Sequence, residues 1–204
     1  TISGNASNFV PDGYDLTENA DGSFTVTESE PVAQIGNETY TTLQAAFDAV
    51  NGEATITLLR DATFKNTSVL ANGKTVVLDL NGKTLAHTDE ANKYVLNNLG
   101  TLTITGNGTV NSRGIYNGYG NGGENVATAK LTIVNGSFNA KGTNGGAAVF
   151  NYGIADIKGG SFTSIGGYSL NNQSGASMTI ADGVTANNGM YATGATVTIN
   201  GGEI

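Results

Sequence analysis

Residues 131–138 read LTIVNGSF and contain the pattern that decides the fold. Apolar Leu131 and Ile133 flank polar Thr132, Gly136 follows, and the alternation resumes at Phe138. Successive side chains of a β-strand point to opposite faces, and glycine readily adopts the positive φ angles of tight bends. The segment therefore predicts a short strand, a bend and the start of a second strand.

The same pattern recurs along the chain, which indicates a repeat architecture. The second apolar residue of each copy gives the series Leu58, Leu80, Ile104, Ile133, Ile157, Ile180 and Ile199. The intervals between them are 22, 24, 29, 24, 23 and 19 residues. Because a further apolar pair precedes most copies, each interval holds about three short strands. This periodicity predicts a parallel β-helix of about seven coils.

Asparagine often follows the upstream apolar pair of a copy, at Asn97, Asn117, Asn151 and Asn171. Stacked coils place like residues above one another, so these side chains are expected to form a ladder of amide hydrogen bonds. The pattern thus favours a structural role for them over ligand binding.

The composition agrees with a β-rich fold. The 204 residues include 30 Gly, 27 Thr and 25 Asn, with no Cys, no Trp and a single histidine, His87. Such a composition favours turns and strands over long helices and excludes disulfide frameworks and thiolate metal sites. We expect no metal, no cofactor and no catalytic residues, and we interpret His87 as a surface or corner residue.

The net charge of −8 is unevenly distributed. Residues 1–59 carry nine acidic side chains and no Lys or Arg, whereas residues 60–204 carry eight acidic and nine basic ones. Nucleic acids and anionic membranes bind basic surfaces, so neither is an expected partner. No run of a dozen apolar residues is present, which predicts no membrane insertion. The start at Thr1 rather than Met favours a processed, extracellular or cell-surface protein.

The two ends of the repeat differ. Residues 41–52 predict an amphipathic helix that caps the first coil, and residues 14–26 predict a hairpin around Asp21-Gly22. We divide the chain into an extension and possible connector (1–30), a capping strand and helix (31–53) and the β-helix (54–204). At the other end, residues 197–204 start a new coil, and residues 1–4 carry a similar signature.

An exposed strand edge invites pairing, so we expect end-to-end association. Two arrangements fit: tandem copies in a longer chain, or separate copies in which residues 1–30 of one cover the open end of another. The residues predicted to take part are Thr1, Ile2, Ser3, Gly4, Val197, Ile199 and Ile204.

The sequence resembles the pectate-lyase-like β-helix modules of large, adhesin-like surface proteins of Gram-positive and gut bacteria. The likeness lies in Val32-Ala33-Gln34-Ile35-Gly36, in the segment 40–49, in Leu58-Leu59-Arg60-Asp61 and in the repeated Thr-Leu-Thr-Ile turns. It implies an all-β, single-stranded, right-handed parallel β-helix with a short N-terminal capping helix and an N-terminal β-hairpin extension. It also implies a non-catalytic structural or adhesive module that forms a stalk or filament outside the cell.

A carbohydrate-binding or carbohydrate-active β-helix is the alternative. Only Asp79 and Asp156 occupy comparable strand positions, and their three-coil separation of roughly 14 Å exceeds the spacing of a glycosidase pair. Tyr116, Tyr119 and Tyr152 are possible contacts for a ligand, either a host or cell-wall glycan or a protein. Arg60-Asp61 and Arg113 are the remaining charged candidates.

Overall fold

The computed structural model describes residues 10–120 and 124–204 and shows an all-β, right-handed parallel β-helix, as the sequence predicts. Its N-terminal part contains β1 (Tyr14–Glu18), β2 (Phe24–Glu28), β3 (Ala33–Ile35), β4 (Glu38–Tyr40) and the helix α1 (Leu43–Ala49). This helix of seven residues is the longest in the described ranges and is too short to cross a membrane.

The remaining strands alternate among three parallel sheets. Sheet I contains β5 (Glu53–Leu58), β8 (Thr75–Asp79), β11 (Thr101–Thr105), β14 (Lys130–Ile133), β17 (Ile154–Ile157), β20 (Ser177–Ile180) and β23 (Thr196–Ile199). Sheet II contains β6 (Ala62–Phe64), β9 (Thr84–His87), β12 (Thr109–Ser112), β15 (Ser137–Ala140), β18 (Gly160–Ser164) and β21 (Val184–Ala186). Sheet III contains β7 (Ser68–Leu70), β10 (Leu96–Asn98), β13 (Ile115–Asn117), β16 (Val149–Asn151), β19 (Leu170–Asn172) and β22 (Met190–Ala192).

These strands form about six coils, and β23 is the first strand of the next one. The sequence count of about seven came from the seven strands of sheet I. Strands in a sheet lie about 4.8 Å apart, so the rod measures roughly 30 Å from β5 to β23. Gly136 and Gly160 occupy equivalent bends between sheets I and II, with φ angles of 116° and 107°.

The strand register of sheet I shows that the first two residues of the predicted series, Leu58 and Leu80, are not equivalent to Ile104. Ile104 pairs with Leu78, and Leu78 pairs with Ile56, so Leu58 and Leu80 lie two residues beyond the equivalent positions. Both residues are nevertheless buried, because the alternation of inward and outward side chains continues to the corner. The core is a set of such inward rows, and in sheet II Phe138 stacks on Phe162 with ring centroids 5.1 Å apart.

Candidate functional site

The last coil exposes side chains that belong to core rows. Val197 pairs with the buried Met178, and Ile199 pairs with the buried Ile180. Every earlier member of the Ile199 row, from Ile56 to Ile180, is at most 1% exposed, whereas Ile199 is 56% exposed. In the described chain, β23 has a strand neighbour on one side only, β20.

Ile204 lies at the same end of the rod. Glu203 forms a parallel bridge with Thr185, and its carbonyl oxygen accepts a hydrogen bond of 2.7 Å from the amide of Ala186. Ile204 thereby comes next to the row that Phe162 and Ala186 occupy in sheet II, and it is 42% exposed. The structure thus places Val197, Ile199 and Ile204 together on one surface, which we call the open end.

The opposite end of the rod is covered. The helix α1 buries Leu43, Ala46 and Phe47 against the first coil, and β3 pairs antiparallel with β5. The Thr42 hydroxyl accepts a 3.0 Å hydrogen bond from the amide of Ala45, which confirms the predicted threonine cap. The helix ends at Ala49, before the expected Asn51-Gly52 stop.

The hairpin of β1 and β2 has an exposed apolar face. Leu16 pairs with Val26, and the alternation of side chains places Tyr14 and Phe24 on the same face. Their pairing partners Glu28 and Glu18 lie at the two ends of this face. Tyr14, Phe24 and Val26 are each about half exposed. Sequence reasoning predicted this hairpin but missed its apolar face, although the alternation of Tyr14-Asp15-Leu16 and Phe24-Thr25-Val26 contains the signal.

The hairpin is joined to the covered end through Asp12. The Asp12 carboxylate accepts hydrogen bonds from the amides of Lys65 and Asn66, at 2.8 and 3.1 Å, and from the Asn66 side chain at 3.0 Å. The apolar hairpin face and the open end therefore belong to opposite ends of the rod. The predicted contacts Thr1, Ile2, Ser3 and Gly4 lie outside the described residues.

The predicted ligand contacts Tyr116, Tyr119 and Tyr152 lie together. Tyr116 is stacked between Tyr94 and Tyr119, with centroid distances of 3.8 and 4.4 Å, and Tyr152 lies 5.4 Å from Tyr119. Burial, together with a hydrogen bond to Tyr94, raises the pKa of Tyr116 well above its ordinary range, and burial also raises the pKa of Tyr152. These hydroxyls stay protonated at neutral pH. Tyr94 was not predicted from the sequence to belong to this cluster, because Tyr94 lies at a corner outside the strands.

The two carboxylates weighed for catalysis are further apart than the sequence suggested. Asp79 pairs with Thr105, whereas Asp156 belongs to the row of Thr103 and Thr132. Three strand-to-strand steps and an offset of two residues along the strand therefore separate the two carboxylates. Asp79 accepts a hydrogen bond from the amide of Asn81 at 2.8 Å. Asp156 lies 3.5 Å from the Lys158 ammonium.

The other charged candidates have structural contacts. Arg113 donates to the carbonyl oxygen of Asn144 at 2.8 Å, and Asp61 accepts from the amide of Thr84 at 2.8 Å. His87 is buried, and its Nδ1 accepts a hydrogen bond of 2.9 Å from the amide of Asp89. In the described part of the chain, no three His, Asp or Glu side chains are grouped where they could hold a metal ion.

Comparison of the chain with protein families, with curated proteins and with solved structures gives no match. The geometry of the two ends and of the tyrosine cluster is therefore the basis for assigning a function.

Proposed function

We propose that the chain is a non-catalytic extracellular structural module that associates end to end into a stalk or filament. The observation that carries this proposal is the 56% exposure of Ile199 in a row whose other members are at most 1% exposed. An apolar core cross-section in contact with water is unfavourable, and burial recovers about 25 cal/mol for each Å² of apolar surface. A partner that covers the open end therefore stabilises the rod.

The partner we propose is the hairpin-bearing end of another copy. A two-stranded hairpin is marginally stable alone in water and needs a surface against which to pack its apolar face. The Tyr14, Leu16, Phe24 and Val26 face supplies such a surface at one end, and Ile199 and Ile204 supply one at the other. Contacts between unlike ends repeat without closing, which produces a linear assembly. The same contact joins separate copies or successive copies of a longer chain.

Charge gives this association a recognisable salt dependence. The hairpin carries Asp15, Glu18 and Glu28. At the open end, Glu203 pairs with Thr185, and Asp182 lies beside Gly201. Like charges repel, and salt screens them over about 8 Å at physiological ionic strength. We expect association to strengthen as the salt concentration rises, unlike a contact made by ion pairs.

Sedimentation velocity over a range of protein concentrations tests the proposal. We expect species larger than the monomer, and we expect Ile199→Asp and Val26→Asp each to convert them to monomer. The matched control is Ile165→Asp, because Ile165 is 62% exposed on the side of the rod. A monomer at all concentrations, or assemblies that both end variants leave unchanged, would contradict the proposal.

Cross-linking identifies the two surfaces directly, since the chain has no cysteine. A Val26→Cys chain mixed with an Ile199→Cys chain is expected to form a mixed disulfide under mild oxidation. The pair Val26→Cys and Ile165→Cys serves as the control and should give only background coupling. Immunolabelling of intact source cells tests the extracellular location, and pectin or hyaluronan depolymerisation assays test the absence of catalysis.

A further inference from the structure

The outward row of sheet III is unusually aromatic and amide-rich. Parallel pairing aligns Val69, Asn97, Tyr116, Phe150, Asn171 and Tyr191 along the rod. The proposed end-to-end contact uses none of these side chains. Two cavities open on this row, and the lining of each includes two tyrosines and one asparagine of the row.

The first cavity has a volume of about 370 Å³ and is lined by Tyr116, Tyr119 and Asn97. Asn97 is 6% exposed, and its side-chain nitrogen donates to the carbonyl oxygen of Tyr119 at 2.8 Å. Its side-chain oxygen is buried and has no hydrogen-bond partner in the described part of the chain. A buried acceptor without a donor costs free energy, which a small shift of the Asn97 side chain toward a ligand hydroxyl would recover.

The second cavity has a volume of about 410 Å³ and is lined by Tyr168, Tyr191 and Asn171. The two rings lie 5.6 Å apart, and both are more than one third exposed. Gly166 and Gly167 form part of its wall. A Cβ on Gly167 would come within 2.2 Å of the carbonyl oxygen of Gly146, so that wall stays free of side chains.

The asparagines of the two cavities lie at equivalent positions of sheet III. Asn97 is in β10 and Asn171 is in β19, three strands further along sheet III. Three steps of about 4.8 Å place the equivalent amides roughly 14 Å apart along the rod axis. An extended chain molecule lying parallel to the axis can therefore contact both cavities at once, and two linked contacts bind more tightly than either alone.

We propose that this face of sheet III binds a linear, uncharged glycan that runs along the rod and stacks sugar rings on Tyr119 and Tyr191. A pyranose ring has an apolar C–H face and a rim of hydroxyl groups. Tyrosine offers an apolar ring with a polar end, and asparagine offers both a donor and an acceptor. Cavities of about this volume are common among small-ligand sites.

The charge of the cavities favours an uncharged glycan. Lys93 is the one charged residue in the lining of the first cavity, and the lining of the second contains none. A chain with a carboxylate on each sugar would require a cation at each contact, because strong recognition of carboxylates uses Arg or Lys. The protein as a whole carries a charge of −8, which also repels such a chain.

Isothermal titration calorimetry tests the proposal with hexasaccharides of β-1,4-linked glucose, mannose and N-acetylglucosamine, and with polygalacturonate as the charged comparison. We expect at least one uncharged hexasaccharide to bind. Tyr119→Ala and Tyr191→Ala should each weaken its binding at least tenfold, and the double variant should abolish it. Val134→Ala is the control, since Val134 is 41% exposed and follows β14 of sheet I, away from the row and from both ends of the rod.

Circular dichroism and thermal unfolding establish that the variants fold, which their surface positions favour. Running the titration on the Ile199→Asp chain separates glycan binding from end-to-end association. The proposal is overturned if none of the three hexasaccharides binds, if polygalacturonate binds more tightly, or if both tyrosine variants bind like the original chain. A proline-rich peptide that binds these tyrosines in place of the glycans would likewise overturn it.

Discussion

The side-chain nitrogen of Asn117 donates a 2.7 Å hydrogen bond to the side-chain oxygen of Asn151 in the next coil. Asn98 donates to Asn117, and Asn151 donates to Asn172, in each case also at 2.7 Å. All four side chains are completely buried. Each nitrogen also donates to a backbone carbonyl at the start of sheet I, as Asn151 does to Ser177 at 2.8 Å. The ladder therefore joins consecutive coils where the chain turns from sheet III to sheet I.

We expect Asn151→Ala to destabilise the protein by about 3 kcal/mol or more. The change removes the acceptor for one N–H of Asn117 and for the Gly153 amide, and it removes the donor to the buried Asn172 oxygen. Each buried group left unpaired costs about 1–3 kcal/mol. Asn139→Ala is the matched control, because Asn139 forms an outward ladder with Asn111 and Thr163 at partly exposed positions. Asn139→Ala should lower the free energy of unfolding by less than about 1 kcal/mol. Urea unfolding followed by circular dichroism measures both, and equal losses would contradict the argument.

The cap on the first coil gives a second prediction. Phe47 is fully buried between α1 and the coil, and Phe47→Ala is expected to lower the free energy of unfolding by about 3–5 kcal/mol. Phe24→Ala removes the same ring from an exposed position on the hairpin and should change it by less than about 0.5 kcal/mol. The melting temperatures of the two variants are compared by thermal unfolding. Both variants also carry Ile199→Asp, so that end-to-end association does not contribute. Similar melting temperatures would show that α1 is not a stabilising cap.

The fold could be predicted from the sequence because period-two alternation and glycine bends are local signals that repeat. Corner positions were less predictable. Asn97 and Asn171 were expected in the ladder, but their neighbours Asn98 and Asn172 form it, whereas Asn117 and Asn151 were assigned correctly. A one-residue shift reverses the direction of a side chain, and two adjacent asparagines leave that choice to the register of the neighbouring coil.

The candidate sites were predictable only in part. The strand positions of Val197 and Ile199 could be predicted because both residues continue rows that the sequence displays, whereas their part in association stays a prediction. Tyr94 contacts Tyr116 because two corners of neighbouring coils pack together. Corner lengths vary from coil to coil, so this contact could not be predicted from the sequence. The sequence also contains no sign of the Asp12 contact, because it joins residues more than 50 positions apart.

The Asp12 contact leads to a third prediction. We expect Asp12→Ala to release the hairpin from the rod, since it removes the acceptor for three hydrogen bonds from Lys65 and Asn66. Hydrogen exchange of the amides in β1 and β2 should accelerate, while that of β14 and β17 should not change. Asp15→Ala is the control, because Asp15 is exposed on the neighbouring strand. Unchanged protection of the hairpin in Asp12→Ala would contradict the prediction.

His87 gives the protein a pH dependence whose sign follows from its burial. Burial lowers the pKa of His87 below its ordinary value of 6.5, although the nearby carboxylates of Asp89 and Asp12 oppose this shift. Its Nδ1 must also remain unprotonated to accept the hydrogen bond from the Asp89 amide. As the pH falls through 6.5, the unfolded chain binds a proton on this residue more readily than the folded chain does, so the unfolded state is favoured.

We therefore expect the free energy of unfolding to decrease between pH 7.5 and pH 5.5. Carboxylates titrate mainly below this window, so His87 should account for most of the slope there. His87→Gln should lose stability at pH 7.5 but show a flatter profile across the window, because glutamine does not titrate. Urea unfolding at intervals of half a pH unit measures both profiles. Parallel profiles for the two proteins would show that another group causes the dependence, and an increase in stability toward pH 5.5 would reverse the sign derived from burial.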